Sequence, residues 1–289
     1  MRTTERRIVA NGIEHHVIVW EPEGAAREAT VLCLHGFLDV GWSWRQVAER
    51  LVARGRRVVA FDWRGHGESG WIGPGGYYHF LDYVADLAAL VEALVPGPLH
   101  LVGHSMGGTA AALFAGAFPA RVEKLVLLEG LGPKVDEDRP PERTAAWVRA
   151  VRRVREREET VMASLDEALA RMRVQNPELP DGLGLELAAR STRKVEGGWV
   201  WAFDPLHRTR GPYPFQVERF LAHVRAITAP TLLIEGERGY RTADHEARRA
   251  AVRDARLVVI PGVGHMMHWL APGAVAEAID AFLAEQAAT

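Results

Sequence analysis

Gly103-His104-Ser105-Met106-Gly107 sets a serine between glycines, directly after the apolar run Leu99 to Val102 and before the small-residue segment Gly108 to Ala117. Between a strand and a helix, a Gly-x-Ser-x-Gly makes a turn too tight for side chains two positions either way, and it holds the hydroxyl clear of the sheet. The chemistry on offer is nucleophilic attack by Ser105, which needs a base to take its proton. Histidine serves, because its unperturbed pKa lies near neutrality. Of the twelve histidines, His265 is the candidate: it ends the loop Pro261-Gly262-Val263-Gly264-His265, whose glycines let the chain bend from the run Leu257 to Ile260 toward the serine. His268 competes from three residues further on and is expected to start the final helix. His104 flanks the serine, but neighbours on such a turn point apart, which leaves it packing or hydrogen bonding beneath.

The elements that must position these side chains alternate between short β-branched runs and helical patterns, the sign of a largely parallel sheet covered on both faces. The runs are His16 to Trp20, Thr30 to Leu34, Arg57 to Asp62, Leu99 to Val102, Lys124 to Glu129, Thr231 to Glu235 and Leu257 to Ile260. Ile8-Val9 and the turn Asn11-Gly12 predict an antiparallel hairpin at the start. Helices are expected at Trp44 to Arg54, Leu81 to Val95, Gly108 to Ala117, Val217 to Ala226, Thr242 to Val252 and Ala274 to Ala284.

From Pro133 to about Pro214 no strand-like run is apparent. Helix-forming stretches, Glu142 to Arg157 and Val161 to Val174, are punctuated by Asn176-Pro177, Pro180-Asp181-Gly182 and Gly197-Gly198. This predicts a helical cap at 133–214, inserted into a core made of 1–132 and 215–289. Val151, Val154, Val161, Leu165, Leu169 and Met172 recur at helical spacing and predict an apolar face. The arginines of 149–157 are interleaved with Glu156, Glu158 and Glu159, which reads as a solvated face rather than a polyanion site.

With 289 residues, 48% hydrophobic and 25% charged, the composition excludes disordered, collagen-like and fibrous classes. A formal net charge of -2 offers no global attraction for nucleic acid or an anionic membrane, and a small neutral substrate is the simplest expectation. Cys33 is the single cysteine, expected as a buried, inert thiol. No segment approaches the roughly 18 apolar residues of a membrane span, and no signal-peptide stretch follows the basic amino terminus, so a cytoplasmic location is expected. No zinc-type cluster, phosphate-binding loop or dinucleotide fingerprint is apparent, and Gly73-Pro74-Gly75-Gly76 opens no helix; no cofactor or metal is implied.

Four motifs in order, each at the end of an expected strand, resemble the α/β-hydrolase family: His35-Gly36-Phe37, Asp62-Trp63-Arg64-Gly65-His66-Gly67-Glu68-Ser69, Gly103 to Gly107, and Gly264-His265. The resemblance covers essentially the whole chain. It implies an α/β fold with a mostly parallel eight-stranded sheet, helices on both faces and an inserted helical cap. It also implies a carboxylate that orients the histidine. Members often carry that acid in a Gly-x-x-Asp after the next-to-last strand, but the equivalent stretch here is Gly236-Glu237-Arg238-Gly239, with glycine in the acid's place. Glu129, after the strand that follows the elbow helix, is the replacement, since some members, among them certain haloalkane dehalogenases, place a glutamate there. Glu237, Glu235, Asp244 and Asp204 are the alternatives.

The resemblance places the two oxyanion donors at the backbone N–H groups of Phe37 and Met106. His35, Trp199, Trp201 and Phe203 are candidate substrate contacts, with Tyr213 and Phe215 as further aromatics of an apolar acyl pocket. Asp62 to Ser69 read as residues that knit their own loop. Trp42, Trp44, Trp63 and Trp71 are expected to divide between core and cleft wall. The leading expectation is hydrolysis of carboxylic esters through an acyl-enzyme. Carbon–carbon bond hydrolases, lactonases, thioesterases and perhydrolases use the same triad, whereas dehalogenases and epoxide hydrolases need a carboxylate where Ser105 stands. A non-catalytic ligand-binding protein on this fold is the alternative of another class.

Overall fold

The computed structural model describes residues 1–24, 26, 29–97, 99–135 and 138–285. Its main sheet contains β1 (Arg2–Ala10), β2 (Ile13–Glu21), β3 (Val31–Leu34), β4 (Val58–Phe61), β5 (Leu99–His104), β6 (Val122–Leu128), β9 (Thr231–Gly236) and β10 (Arg256–Ile260) in the order β1-β2-β4-β3-β5-β6-β9-β10. From β4 to β10 every neighbouring pair is parallel; β2 pairs antiparallel with β4 and with β1, whose hairpin turns at Asn11-Gly12 with both residues at positive φ.

The central strands are apolar at nearly every position because helices cover both faces. Leu32, Leu34, Leu101, Leu125, Leu127 and Leu233 enter the core on one side, and Val31, Cys33, Val102, Val126, Leu232 and Ile234 enter the other, following the two-residue period. Helices α2 (Phe80–Leu94), α3 (Met106–Ala117) and α7 (Val217–Ala226) pack on the first face; α1 (Arg45–Ala53) and α10 (Pro272–Ala284) pack on the second. Cys33 is fully buried there, and burial pushes its thiol pKa up, so it stays protonated. No helix among the described residues is long and apolar enough to cross a membrane.

The segment after β6 holds α4 (Pro140–Glu156), α5 (Leu165–Arg173), α6 (Asp181–Arg190) and the hairpin β7 (Thr192–Val195)–β8 (Gly198–Trp201). The hairpin corrects the expectation of a strand-free interval. Its strands have four residues each, too short for periodicity to register, and Gly197 and Gly198, read as punctuation, form its turn at positive φ. Helix α6 was also hidden, because Asp181-Gly182 in its first turn reads as a break. The apolar stripe does not form one face: Val151 and Val154 pack against the main core, Leu169 and Met172 join a separate cluster with Met162 and Trp199, and Val161 is exposed. Two short helices, α8 (His245–Ala250) and α9 (Met267–Leu270), complete the fold. His268 lies in α9, not at the start of the final helix.

The inserted segment is tied to the core through α6. Glu186 accepts two hydrogen bonds from Arg45, at 2.6 and 2.7 Å, and one from the Trp42 indole, while Arg190 stacks 3.7 Å from the Trp42 ring centroid and pairs with Glu5.

Candidate active site

Ser105 sits between β5 and α3 with φ +51° and ψ −115°, a backbone conformation that costs an L-residue about 1–3 kcal/mol. The glycines around it are required by sterics. A Cβ on Gly103 would lie 2.6 Å from the Gly107 carbonyl oxygen, and one on Gly107 would lie 2.5 Å from the Leu34 carbonyl oxygen. The Ser105 N–H donates to the Leu128 carbonyl of β6 at 2.9 Å, which fixes the turn against the neighbouring strand.

His265 enters from the loop after β10. Its Nε2 is 3.0 Å from Ser105 Oγ, and its Nδ1 is 2.5 Å from Glu129 Oε2. Glu129 follows β6 directly, at φ +47°, and its side chain is 1% exposed. The carboxylate also accepts the N–H of Gly236 at 3.0 Å through Oε1 and the N–H of Tyr240 at 2.8 Å through Oε2. These bonds orient it so that a lone pair faces the His265 Nδ1–H, leaving Nε2 as the acceptor toward the serine.

Gly239 stands on the other side of that carboxylate. A Cβ at 239 would fall 1.6 Å from Glu129 Oε1, so a side chain at 239 and the glutamate at 129 exclude one another. The other carboxylates are engaged elsewhere: Glu235 with His245 and Arg241, Glu237 with the Gly262 N–H, Asp244 with Arg248, and Asp204 with the Tyr78 hydroxyl and the Leu206 N–H.

Two backbone N–H groups lie beside the serine in the chain or in space. Met106 is the first residue of α3, where N–H groups have no intrahelical acceptor. Phe37 follows Gly36, at which a Cβ would lie 3.4 Å from the Ser105 Cβ, so this loop passes close to the serine. Neither N–H has an acceptor among the described residues. An oxygen bound to both would also profit from the positive end of the α3 dipole.

Several expected substrate contacts lie elsewhere. His35 is fully buried; its Nδ1–H donates to Gly36 O, its Nε2 accepts the Trp63 N–H, and burial holds its pKa below the ordinary value. It therefore braces the loop and has no nitrogen left for a substrate. Trp199 packs with Met162 in a cluster that the inserted segment shares with Trp269 of α9. Trp201 and Phe203 stack on each other and line a cavity of about 230 Å³, together with Val154 and Arg208, that includes neither Ser105 nor His265. Tyr213 is exposed, and Phe215 packs against Phe220. The periodicity of aromatic residues carries no information on which side of a small subdomain they face.

Trp44 and Trp63 are fully buried, while Trp42 and Trp71 are half-buried. Asp62 accepts the N–H groups of Gly41 and Glu68 and pairs with His16 Nδ1, so it organises its own loop. Burial disfavours a charge on His16, yet the Asp62, Glu68 and Glu5 carboxylates together outweigh it and raise the pKa.

Among the described residues, two groups of metal-type donors come together that spacing did not reveal: Asp39 with His104 and His268, and Glu5 with His16 and Glu68. In the first, Asp39 already accepts the Ser43 hydroxyl and the Val40 N–H; in the second, the carboxylates pair with Arg190 and Arg7. The closeness of His104 and His268 to His265 was likewise missed; the three-residue step from His265 to His268 was its one sequence signal.

Residues 29–272 match the family model described as alpha/beta hydrolase fold, and the chain belongs to that family. A serine hydrolase-like protein of Danio rerio is 30% identical over 93% of this chain and 84% of its own length. Among solved structures, a hypothetical protein from Pseudomonas aeruginosa PAO1 is similar at 30% identity and a TM-score of 0.86, covering 97% of this chain and 99% of the other. The thioesterase domain from the curacin biosynthetic pathway is similar at 29% identity and a TM-score of 0.83, covering 96% and 99%.

Proposed function

We propose that this α/β-hydrolase cleaves carboxylic esters of small molecules through an acyl-enzyme formed on Ser105. The observation that carries the reading is the continuous contact from Glu129 Oε2 to His265 Nδ1 and from His265 Nε2 to Ser105 Oγ. In the first half-reaction His265 Nε2 takes the Ser105 proton as Oγ attacks the acyl carbon. The carbonyl oxygen, now anionic, accepts the N–H groups of Phe37 and Met106, each worth about 2.7–4 kcal/mol in such a site. Collapse expels the alcohol, protonated by His265. In the second half a water gives its proton to His265, attacks the acyl carbon, and frees the acid and Ser105. Glu129 holds the imidazole in the right tautomer and stabilises its cation.

The segment 133–214 acts as a cap over this cleft, fastened at α6, in a cytoplasmic enzyme that needs no cofactor. Thioester hydrolysis is the second reading, favoured by the likeness to the curacin thioesterase domain; it uses the same groups and a better leaving group.

The test is covalent labelling by a fluorophosphonate. Wild type labels, Ser105→Ala does not, and both keep the same melting temperature. An inert wild-type serine would support a ligand-binding protein instead. Turnover of p-nitrophenyl esters of increasing acyl length beside matched acyl thioesters then separates the two hydrolytic readings.

A further inference from the structure

The imidazole of His265 is oriented by Glu129, but its position also depends on the backbone that carries it. The loop from β10 is pinned early: the N–H groups of Glu237 and Arg238 donate to the carbonyls of Ile260 and Val263, both at 2.9 Å. At His265 itself, the backbone hydrogen bond among the described residues comes from His104, whose Nε2–H donates to the His265 carbonyl at 2.9 Å. His104 immediately precedes Ser105, so the residue before the nucleophile grips the main chain of the base.

The ring of His104 is 1% exposed and lies between two other imidazoles, 4.6 Å from His265 and 4.4 Å from His268. His268 packs on Trp44 at 5.0 Å, and its Nε2 is 3.4 Å from Asp39 Oδ2. Burial and the neighbouring histidines hold His104 neutral, well below the ordinary histidine pKa. A neutral ring has one N–H, and the His265 carbonyl selects Nε2 to carry it.

We propose that His104 is a positioning residue: its Nε2–H, donated to the His265 carbonyl, fixes where His265 stands relative to Ser105. The proposal rests on the triad reading. A misplacement of about 1 Å is worth up to about 100-fold in rate.

Three variants separate the parts. His104→Gln keeps a donor without the ring, His104→Phe keeps a ring without the donor, and His104→Met has neither at similar length. Turnover per phosphonate-titrated site is measured with melting temperature. The expected result is that His104→Phe and His104→Met lose about 10- to 100-fold in kcat with KM within twofold, and that His104→Gln recovers most of the loss. A merely structural role would shift melting temperature and leave kcat per titrated site unchanged. Wild-type kcat in His104→Phe, or His104→Gln no better than His104→Met, overturns the proposal; if His104→Phe does not fold, the comparison of Gln with Met decides. Should Ser105→Ala keep turnover, the triad reading fails instead.

Discussion

A side chain at 239 and the carboxylate of Glu129 compete for one space, which makes the location of the proposed triad acid experimentally movable. In Gly239→Ala the new Cβ would start 1.6 Å from Glu129 Oε1. Ordinary contact needs roughly 3.5 Å between non-bonded atoms, so the carboxylate must retreat by about 2 Å. That retreat breaks its 2.5 Å contact with His265 Nδ1 and its bonds to the Gly236 and Tyr240 N–H groups. Losing the acid's orienting role costs about 10⁴-fold in kcat, or about 5.5 kcal/mol of transition-state stabilisation. Orphaning the buried Gly236 N–H adds about 1–3 kcal/mol of instability, so melting temperature is followed in parallel. Glu129→Gln alone should fall by orders of magnitude, and Gly239→Asp alone should fall as Gly239→Ala does. In Glu129→Ala/Gly239→Asp the clash is gone, and the aspartate carboxyl, one bond beyond its Cβ, lies in the space the glutamate left. Its kcat should exceed that of Glu129→Ala by at least tenfold, so that a substitution harmful in wild type becomes beneficial. The assay is kcat on a p-nitrophenyl ester, normalised by phosphonate titration. Wild-type turnover in Gly239→Ala, or a double variant no better than Glu129→Ala, would refute the reasoning.

Acid should unfold this protein steeply. Burial lowers the pKa of His35, His66, His100, His104, His207 and His268, to about 4 for His100 and His207, from an ordinary 6.5. The unfolded chain then binds more protons below pH 6.5, so the stability from these groups is full above that pH and falls as pH drops through each group's lowered value, by at most about 1.4 kcal/mol per pH unit for each group, down to about pH 4 for His100 and His207. His16, with its raised pKa, contributes with the opposite sign: its stabilisation is present below pH 6.5 and fades as pH rises through the raised value. A melting temperature that stays flat from pH 7.5 to 5 would contradict this balance. Gly103→Ala should cost roughly 3 kcal/mol or more in urea unfolding, because the clash is with the Gly107 and Gly108 backbone of α3, which no side-chain rotation can relieve; a loss under 1 kcal/mol would show that the turn relaxes. Asp62→Ala, which leaves the Gly41 and Glu68 N–H groups and buried His16 without their acceptor, should cost about 3–5 kcal/mol by the same measurement.

What the amino-acid order alone carried was local. The two-residue period of the apolar runs, the glycines at 103 and 107 and the hairpin at Asn11-Gly12 each follow from sterics or burial within a few residues, and the sheet and its elbow are legible from them. Helix α6 and the hairpin of β7 and β8 escaped because short elements with glycine at their ends look like loops. Which carboxylate meets His265 could not be read as a local property. Glu129 and His265 are 136 residues apart, and they touch because the turn after β6 and the loop after β10 reach the same edge of the sheet, on either side of β9. The glycine at 239 reads from sequence as a missing acid. Only the tertiary structure shows it as the space that the Glu129 carboxylate fills, because a Cβ there and that carboxylate would occupy nearly the same point.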